Sequence, residues 1–219
     1  MIWDFHTHSS LSDGELSPIE LIRRAISKGY VGIGITDHTG IGSLKRIIEE
    51  LKKDCELAQK LFGIKAICGV ELTHLPPKAI PEAAREAKEL GAQIVIVHGE
   101  TIVEPVARGT NIMALSSPHV DILAHPGFLT EEEALLCSKN SIFLEISSHK
   151  GHSLTNGYIV KMARKFNLKL LLGSDAHTEE ELLTPSFARD VLKGAGLEDG
   201  EIEEVLFKNP PILLRKLGF

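Results

Sequence analysis

The chain has 219 residues, of which 43 % are hydrophobic and 25 % charged, and a formal net charge of −6. That length and apolar content suit one large domain with a real core and exclude a disordered tail or a fibrous repeat. The acidic balance argues against long nucleic acid as a partner, since that partner demands a basic face. Along the chain, Ile2–His6 predicts a first strand. Ser17-Pro18-Ile19-Glu20 predicts a helix start, with serine at the N-cap, proline in the first turn and glutamate at N3. Ile19, Ile22 and Ile26 share one face of that helix and Gly29 stops it. Val31–Thr36 predicts the second strand, and Leu44–Phe62 a long amphipathic helix ending before Gly63. Lys65–Glu71 is the third strand, Pro81–Leu90 a helix closed by Gly91, and Ile94–His98 the fourth strand. Thr101–Ser117 contains Pro105 and Gly109 and predicts a long loop with one short helix. Asp121–His125 is the fifth strand, and Thr130 with Glu133 a capping box for the helix after it. Ile142–Ile146 and Lys169–Gly173 are the sixth and seventh strands, separated by a helix over Ile159–Phe166 capped by Thr155 or Asn156. Thr184-Pro185 opens a helix that runs to Gly194, and Glu201–Leu217 adds one or two short helices around Pro210-Pro211.

These strands are almost wholly apolar and lack alternation, as parallel strands buried on both faces do. Seven of them, each followed by a helical or loop crossover, predict an α/β fold in a single domain over residues 1–219. Periodicity alone leaves a closed barrel and an open doubly wound sheet both standing. No apolar run nears the roughly 20 residues of a membrane span. The N-terminus has no basic segment followed by an apolar one, so a cytoplasmic location is expected. Cys55, Cys68 and Cys137 are odd in number and far apart, which suits buried thiols in a reducing compartment.

The ten histidines are not scattered. In parallel α/β architectures, sites form at the C-terminal ends of strands. Each predicted strand ends in an imidazole, a carboxylate or both: His6 and His8, Asp37-His38, Glu71, His98, His125, Glu145, and Asp175 with His177. In His6-x-His8 and Asp175-x-His177 the side chains are two residues apart, so on extended backbone both point to one side. Histidine and carboxylate without cysteine suit Zn²⁺, Mn²⁺ or iron. Each short motif alone is weak; together they predict one metal site. His74 and His119 fall in loops and are expected at the surface.

The order His-x-His, Asp-Gly, Thr-Asp-His, Glu, His-Gly, His-Pro, Glu and Ser-Asp-Ala-His resembles the PHP (polymerase and histidinol phosphatase) family. The match runs from Asp4 to His177. It is carried by His6-Thr7-His8-Ser9 with Ser12-Asp13-Gly14, and by Ser174-Asp175-Ala176-His177. The resemblance implies a distorted (β/α)7 barrel of parallel strands and nine ligands for two or three divalent ions, Zn, Mn or Fe. It implies that His6, His8, Glu71 and Asp175 hold a first ion. Glu71 would bridge to a second, completed by His98 and His125. Asp13, His38 and His177 would hold a third. Asp37 is expected to orient a ligand histidine, and Glu145 to lie outside the ligating set.

Such a site suits hydrolysis of a small-molecule phosphomonoester, with a metal-bound hydroxide as nucleophile. The sequence has no Gly-x-Ser-x-Gly elbow and no P-loop. Lys150, His152 and Ser153, from the segment after the sixth strand, and Arg108 are the expected contacts to phosphate oxygens. The expected partner is a small phosphorylated substrate, with no membrane and no long nucleic acid. The chain is short for the family's histidinol phosphatases, so histidinol phosphate is not singled out. Two alternatives stand beside this reading. One is a phosphodiesterase or exonuclease on nucleotides or short oligonucleotides. The other is a non-catalytic scaffold akin to the barrel subunit of archaeal ribonuclease P.

Overall fold

The computed structural model describes residues 1–219. Seven parallel strands form one curved sheet: β1 (Ile2–Thr7), β2 (Tyr30–Ile35), β4 (Lys65–Leu72), β5 (Ile94–His98), β6 (Ile122–Ala124), β7 (Phe143–Ser147) and β8 (Leu170–Gly173), in that spatial order. A two-residue strand, β3 (His38–Thr39), pairs with the end of β4 and prolongs the line of β2. Between β8 and β1 the ladder shrinks to a single bridge, Thr7 with Ala176. There His8 N donates to Ala176 O and Asp175 N donates to His6 O, each at 2.9 Å. The sheet is therefore a parallel barrel that closes at the C-terminal ends of its strands, which resolves the choice the periodicity left open.

The crossovers are α1 (Pro18–Ser27), α2 (Leu44–Phe62), α3 (Ile80–Leu90), α4 (Thr110–Ser116), α5 (Glu131–Asn140), α6 (Asn156–Phe166) and α7 (Pro185–Gly194). Gly63 and Gly91 end α2 and α3 with φ of 72° and 102°, a conformation that other residues adopt only with strain. Thr130 and Glu133 form the expected capping box of α5. Thr184 Oγ1 accepts from Phe187 N at 3.3 Å at the start of α7. Two expected caps differ. Ser17 makes no side-chain bond to its helix. Thr155 holds the N-cap position of α6 without a side-chain bond to it, and Asn156 turns away from α6 and pairs both ways with Ser147, through Ser147 N to Oδ1 at 3.1 Å and Nδ2 to Ser147 O at 2.8 Å. That pairing ties the start of α6 to the end of β7.

Alternation along the strands divides the interior. Cys68, Val70 and Leu72 of β4 pack outward under the helices, within the large apolar layer between sheet and helices. Ile67 of β4 packs inward with Phe5, Ile94, Ile96, Ile122, Phe143 and Leu171. The tail, α8 (Asp199–Glu203), a π-type turn (Glu204–Lys208) and α9 (Asn209–Lys216), crosses the N-terminal mouth. From α9, Leu213 is fully buried in the inward cluster. The barrel is thus stoppered with apolar side chains at one end, leaving the other end for polar ones. No helix is long and apolar enough to cross a membrane.

Candidate metal centre

The polar end begins with an irregularity in β1. From Asp4 to Thr7 the strand advances three residues while its partner β2 advances two, from Ile33 to Ile35. The extra residue is a β-bulge, which re-aims the side chains beyond it. Phe5 can thereby join the inward apolar cluster while His6, its neighbour, faces the polar end.

His6 Nδ1 lies 2.6 Å from Glu145 Oε2. With Nδ1–H donating there, the Nε2 lone pair faces Glu71 Oε1 at 3.4 Å and Asp175 Oδ1 at 3.6 Å. His8 Nε2 is 2.9 Å from Asp175 Oδ1 and 3.1 Å from His6 Nε2. Gly173 makes room for Glu145, since a Cβ there would sit 2.4 Å from Glu145 Oε2. His125 Nε2 approaches the same Glu71 Oε1 at 3.5 Å, so one carboxylate oxygen stands between two imidazoles from different strands. His125 and Asp175 both have positive φ, 27° and 54°. Non-glycine residues held this way cost of order 1 kcal/mol or more and cluster at functional sites.

A third group forms beside these. Asp13 Oδ1 is 3.3 Å from His177 Nε2, and its Oδ2 is 3.7 Å from His38 Nε2. Asp37, expected to orient a histidine, does something else. It accepts from Ser9 N at 2.8 Å and Ser9 Oγ at 2.7 Å, and from Ser12 Oγ at 2.6 Å. It therefore fixes the turn that presents Asp13.

Burial alone would raise the Glu71 carboxyl, but His6 and His38 hold it well below the usual carboxylate range. Asp175 is depressed in the same way by His6 and His8. Burial opposes charge on His6, yet Glu145, Glu71 and Asp175 carry it well above its ordinary value. His38 is likewise raised, to about 9, chiefly by Glu71 against the effect of burial. His98 and His152 go the other way, pushed by burial to about 4 and about 3. Without cations, protons on imidazoles are thus what balances the carboxylates; cations would compete for the same lone pairs.

Several buried atoms have no hydrogen-bond partner: His8 Nδ1, Glu71 Oε1, both ring nitrogens of His125, Glu145 Oε1, and Asp175 Oδ1, which lies 2.9 Å from His8 Nε2 but outside hydrogen-bond geometry. Each such atom costs about 1–3 kcal/mol. Their concentration in one place, on residues with the donor set of Zn²⁺, Mn²⁺ or Fe²⁺, fits a group of cation ligands. Sets drawn from these residues bring three or four ligand atoms within 4.8 Å of one another.

The nine predicted ligand positions come together here; Asp13, His38, His98, Asp175 and His177 line a pit of about 450 Å³ whose ten lining residues include none that is apolar, while His6, His8, Glu71 and His125 are buried outside that lining. Of the four expected substrate contacts, only His152 lines the pit. Ser153 lines a neighbouring groove with Leu154 and Phe187. Arg108 and Lys150 are exposed outside the lining. Four lining residues were not foreseen, among them Thr73, whose Oγ1 lies 2.7 Å from His38 Nδ1. His74, expected at the surface, is exposed but turned to the pit, with Nε2 3.3 Å from Glu104 Oε2. His149 Nδ1 lies 2.8 Å from Asp175 O. It closely follows the end of β7, which was a usable signal. Glu104 lies in the long β5–α4 connection, and nothing in its neighbours marks it. His119 is half-buried and lies outside the lining.

The sequence pattern that defines the PHP domain matches residues 4–216, nearly the whole chain. The chain belongs to the PHP domain family. This PHP protein is 49 % identical over 218 residues to the uncharacterized protein MJ1295 of Methanocaldococcus jannaschii, covering 99 % of this chain and 100 % of that one. It is 30 % identical over 256 residues to the probable phosphatase Teth514_1060 of Thermoanaerobacter sp. (strain X514), covering 100 % of this chain and 98 % of that one. The cryo-EM structure of archaeal ribonuclease P with mature tRNA contains a chain of the same fold. The two superpose with a TM-score of 0.73 at 16 % identity, over 98 % of this chain and 90 % of that chain.

Proposed function

We propose that this PHP protein is a metal-dependent phosphatase that hydrolyses a small phosphomonoester, using two or three divalent cations held in the histidine-rich pit. The observation that carries this is the convergence of imidazoles and carboxylates from every main strand on buried, unpartnered ligand atoms. The probable phosphatase that this chain resembles along its length supports the same reading. His6, His8, Glu71 and Asp175 would hold one cation; Glu71, His98 and His125 a second; Asp13, His38 and His177 a third. Bound cations of this kind acidify a water to a pKa near 7 and offset charge on phosphoryl oxygens.

The chain's own residues position everything else. Glu145 holds the His6 ring, and Asp37 holds the turn bearing Asp13. The pit lining has no lysine or arginine, so a phosphate would be held there chiefly through cations. Arg108, Lys150 and Ser153 are proposed contacts to the rest of the substrate at the rim. The net charge of −6 weighs against long nucleic acid as substrate. The three free, buried thiols support a reducing, cytoplasmic setting.

The likeness to a ribonuclease P chain favours a second reading, a scaffold for an RNA-containing assembly. A full set of ligand-type residues weighs against it, as does a pit that burial makes costly to keep empty. The test is phosphate release by chelator-stripped protein reloaded with Zn²⁺, Mn²⁺ or Fe²⁺. The substrates are a phosphomonoester panel that includes histidinol phosphate, a diester and single-stranded oligonucleotides. Monoester hydrolysis that disappears with chelator is the expected outcome. Preference for diester or oligonucleotide would replace the phosphatase with a phosphodiesterase. Metal uptake without hydrolysis of anything in the panel would favour the scaffold.

A further inference from the structure

Two residues outside the nine positions face the pit as ligands would. Glu104 comes from the β5–α4 connection and is partly exposed, at 36 %. Its Oε2 lies 3.2 Å from His98 Nε2 and 3.3 Å from His74 Nε2, and its Oε1 lies 3.4 Å from His152 Nε2. His152 arrives from the β7–α6 connection, on the 3-10 turn His152–Thr155, and is 6 % exposed. Its ring stacks on His125 with centroids 4.1 Å apart.

The hydrogen bonds decide where the lone pairs point. His98 Nδ1 is 3.2 Å from Gly99 O, which can only accept, so Nδ1 carries the hydrogen of the neutral ring. His98 Nε2 then turns a lone pair toward a carboxylate oxygen at 3.2 Å. His152 Nδ1 is 2.8 Å from Thr101 Oγ1; when Nδ1 donates there, His152 Nε2 also turns a lone pair toward Glu104. Acceptors facing one another at such distances repel unless a cation lies among them. Ligand atoms about 2.0–2.2 Å from one ion are at most about 4.4 Å apart, and neighbouring ones roughly 3.0–3.6 Å. The spacings of 3.2 and 3.4 Å fall in that range, and the ligand atoms of His98, His125 and His152 lie within 4.8 Å of one another.

We propose that Glu104 and His152 are ligands of the cation taken by His98 and His125, two positions beyond the nine. That cation then ties the β5–α4 and β7–α6 connections together across the mouth of the pit. The two connections already touch beside these residues, through Thr101 Oγ1 and His152 Nδ1 at 2.8 Å. The inference rests on the multinuclear reading of the pit given above.

Chelator-stripped protein titrated with Co²⁺, followed by visible absorption, and with Zn²⁺, followed by calorimetry, tests it without any assay of turnover. Glu104→Ala, Glu104→Gln, His152→Ala and His152→Gln are each expected to weaken one ion by about tenfold or more and to change its cobalt spectrum. Lys161→Ala, on the exposed face of α6 and outside the pit lining, should leave every ion bound as in the wild type. Limited proteolysis within residues 101–109 gives a second readout. Cations should protect this segment in the wild type and fail to do so in Glu104→Ala. Variants at both positions that keep wild-type affinities, spectra and protection overturn the inference while leaving the nine-ligand centre standing. A wild type that takes up no cation overturns the centre itself.

Discussion

At His6 one ring nitrogen is committed to Glu145 and the other to the pit, so the ring has a single useful orientation. Carboxylates that hold a ligating histidine in this way are typically worth 10–100-fold in metal affinity. Glu145→Ala should therefore weaken Zn²⁺ binding by about that factor; unchanged affinity in a titration would show that the ring needs no support. Gly173→Ala should act in the same direction, because its Cβ would occupy the place of the Glu145 carboxylate. Asp4 tests the electrostatics separately. It is fully buried, accepting from His6 N, Ser174 N and Tyr30 Oη, and burial raises it from 3.8 to about 6. Below 3.8 it is protonated whether the chain is folded or not. Above about 6 it is ionised in both states, and its burial then counts against the fold. Its contribution to stability accordingly falls as pH rises from about 4 to about 6. Asp4→Asn removes this dependence. The variant's stability relative to the wild type should rise by about 2–3 kcal/mol between pH 4 and pH 7 in urea unfolding of the metal-free protein. A difference that does not move with pH would mean that Asp4 is better solvated than its surroundings indicate.

Among the elements, those with strong local punctuation were the legible ones. α2 runs from Leu44 to Phe62 as the sequence predicts, because its apolar stripe is long and Gly63 accepts the left-handed turn that ends it. The capping box of α5 was equally readable, with Glu133 N donating to Thr130 Oγ1 and Thr130 N donating to Glu133 Oε2. Thr130→Ala should cost about 1 kcal/mol in urea unfolding without changing metal uptake, since this cap makes no contact with the pit. Loss of metal binding in that variant would join α5 to the centre in a way the fold does not. What was not legible depends on contacts distant in sequence. β3 is too short to leave a pattern, and it exists because His38 and Thr39 pair with Glu71 and Leu72. Ser17 looks like a cap and does not act as one. Asn156 spends its amide on Ser147, a partner known only once β7 is in place. At the site, residues that end strands announced themselves by position. Glu104 and His74 did not, because loops bring them to the pit.

Taken whole, the molecule separates its two tasks along the barrel axis. The seven strands were countable in the sequence as apolar runs; that they close around an axis was implied by the family resemblance and not by periodicity, because closure rests on the Thr7–Ala176 bridge between the first strand and the residues just after the last. Leu213 of α9 fills the apolar end, and Leu213→Ala should cost about 2–5 kcal/mol in stability while the folded protein keeps its metal complement. A cost well under 1 kcal/mol would show that α9 merely lies on the barrel. The opposite end gathers charge that only cations or protons can balance, and Glu71, facing both His6 and His125, is its centre. The most direct measurement is the number of cations bound per chain by stripped and reloaded protein, wild type beside Glu71→Gln, by elemental analysis after gel filtration. We expect about two or three in the wild type and at least one fewer in the variant, because the substitution removes charge from the shared ligand. A wild-type chain that binds none, or a Glu71→Gln chain that keeps them all, would contradict the account.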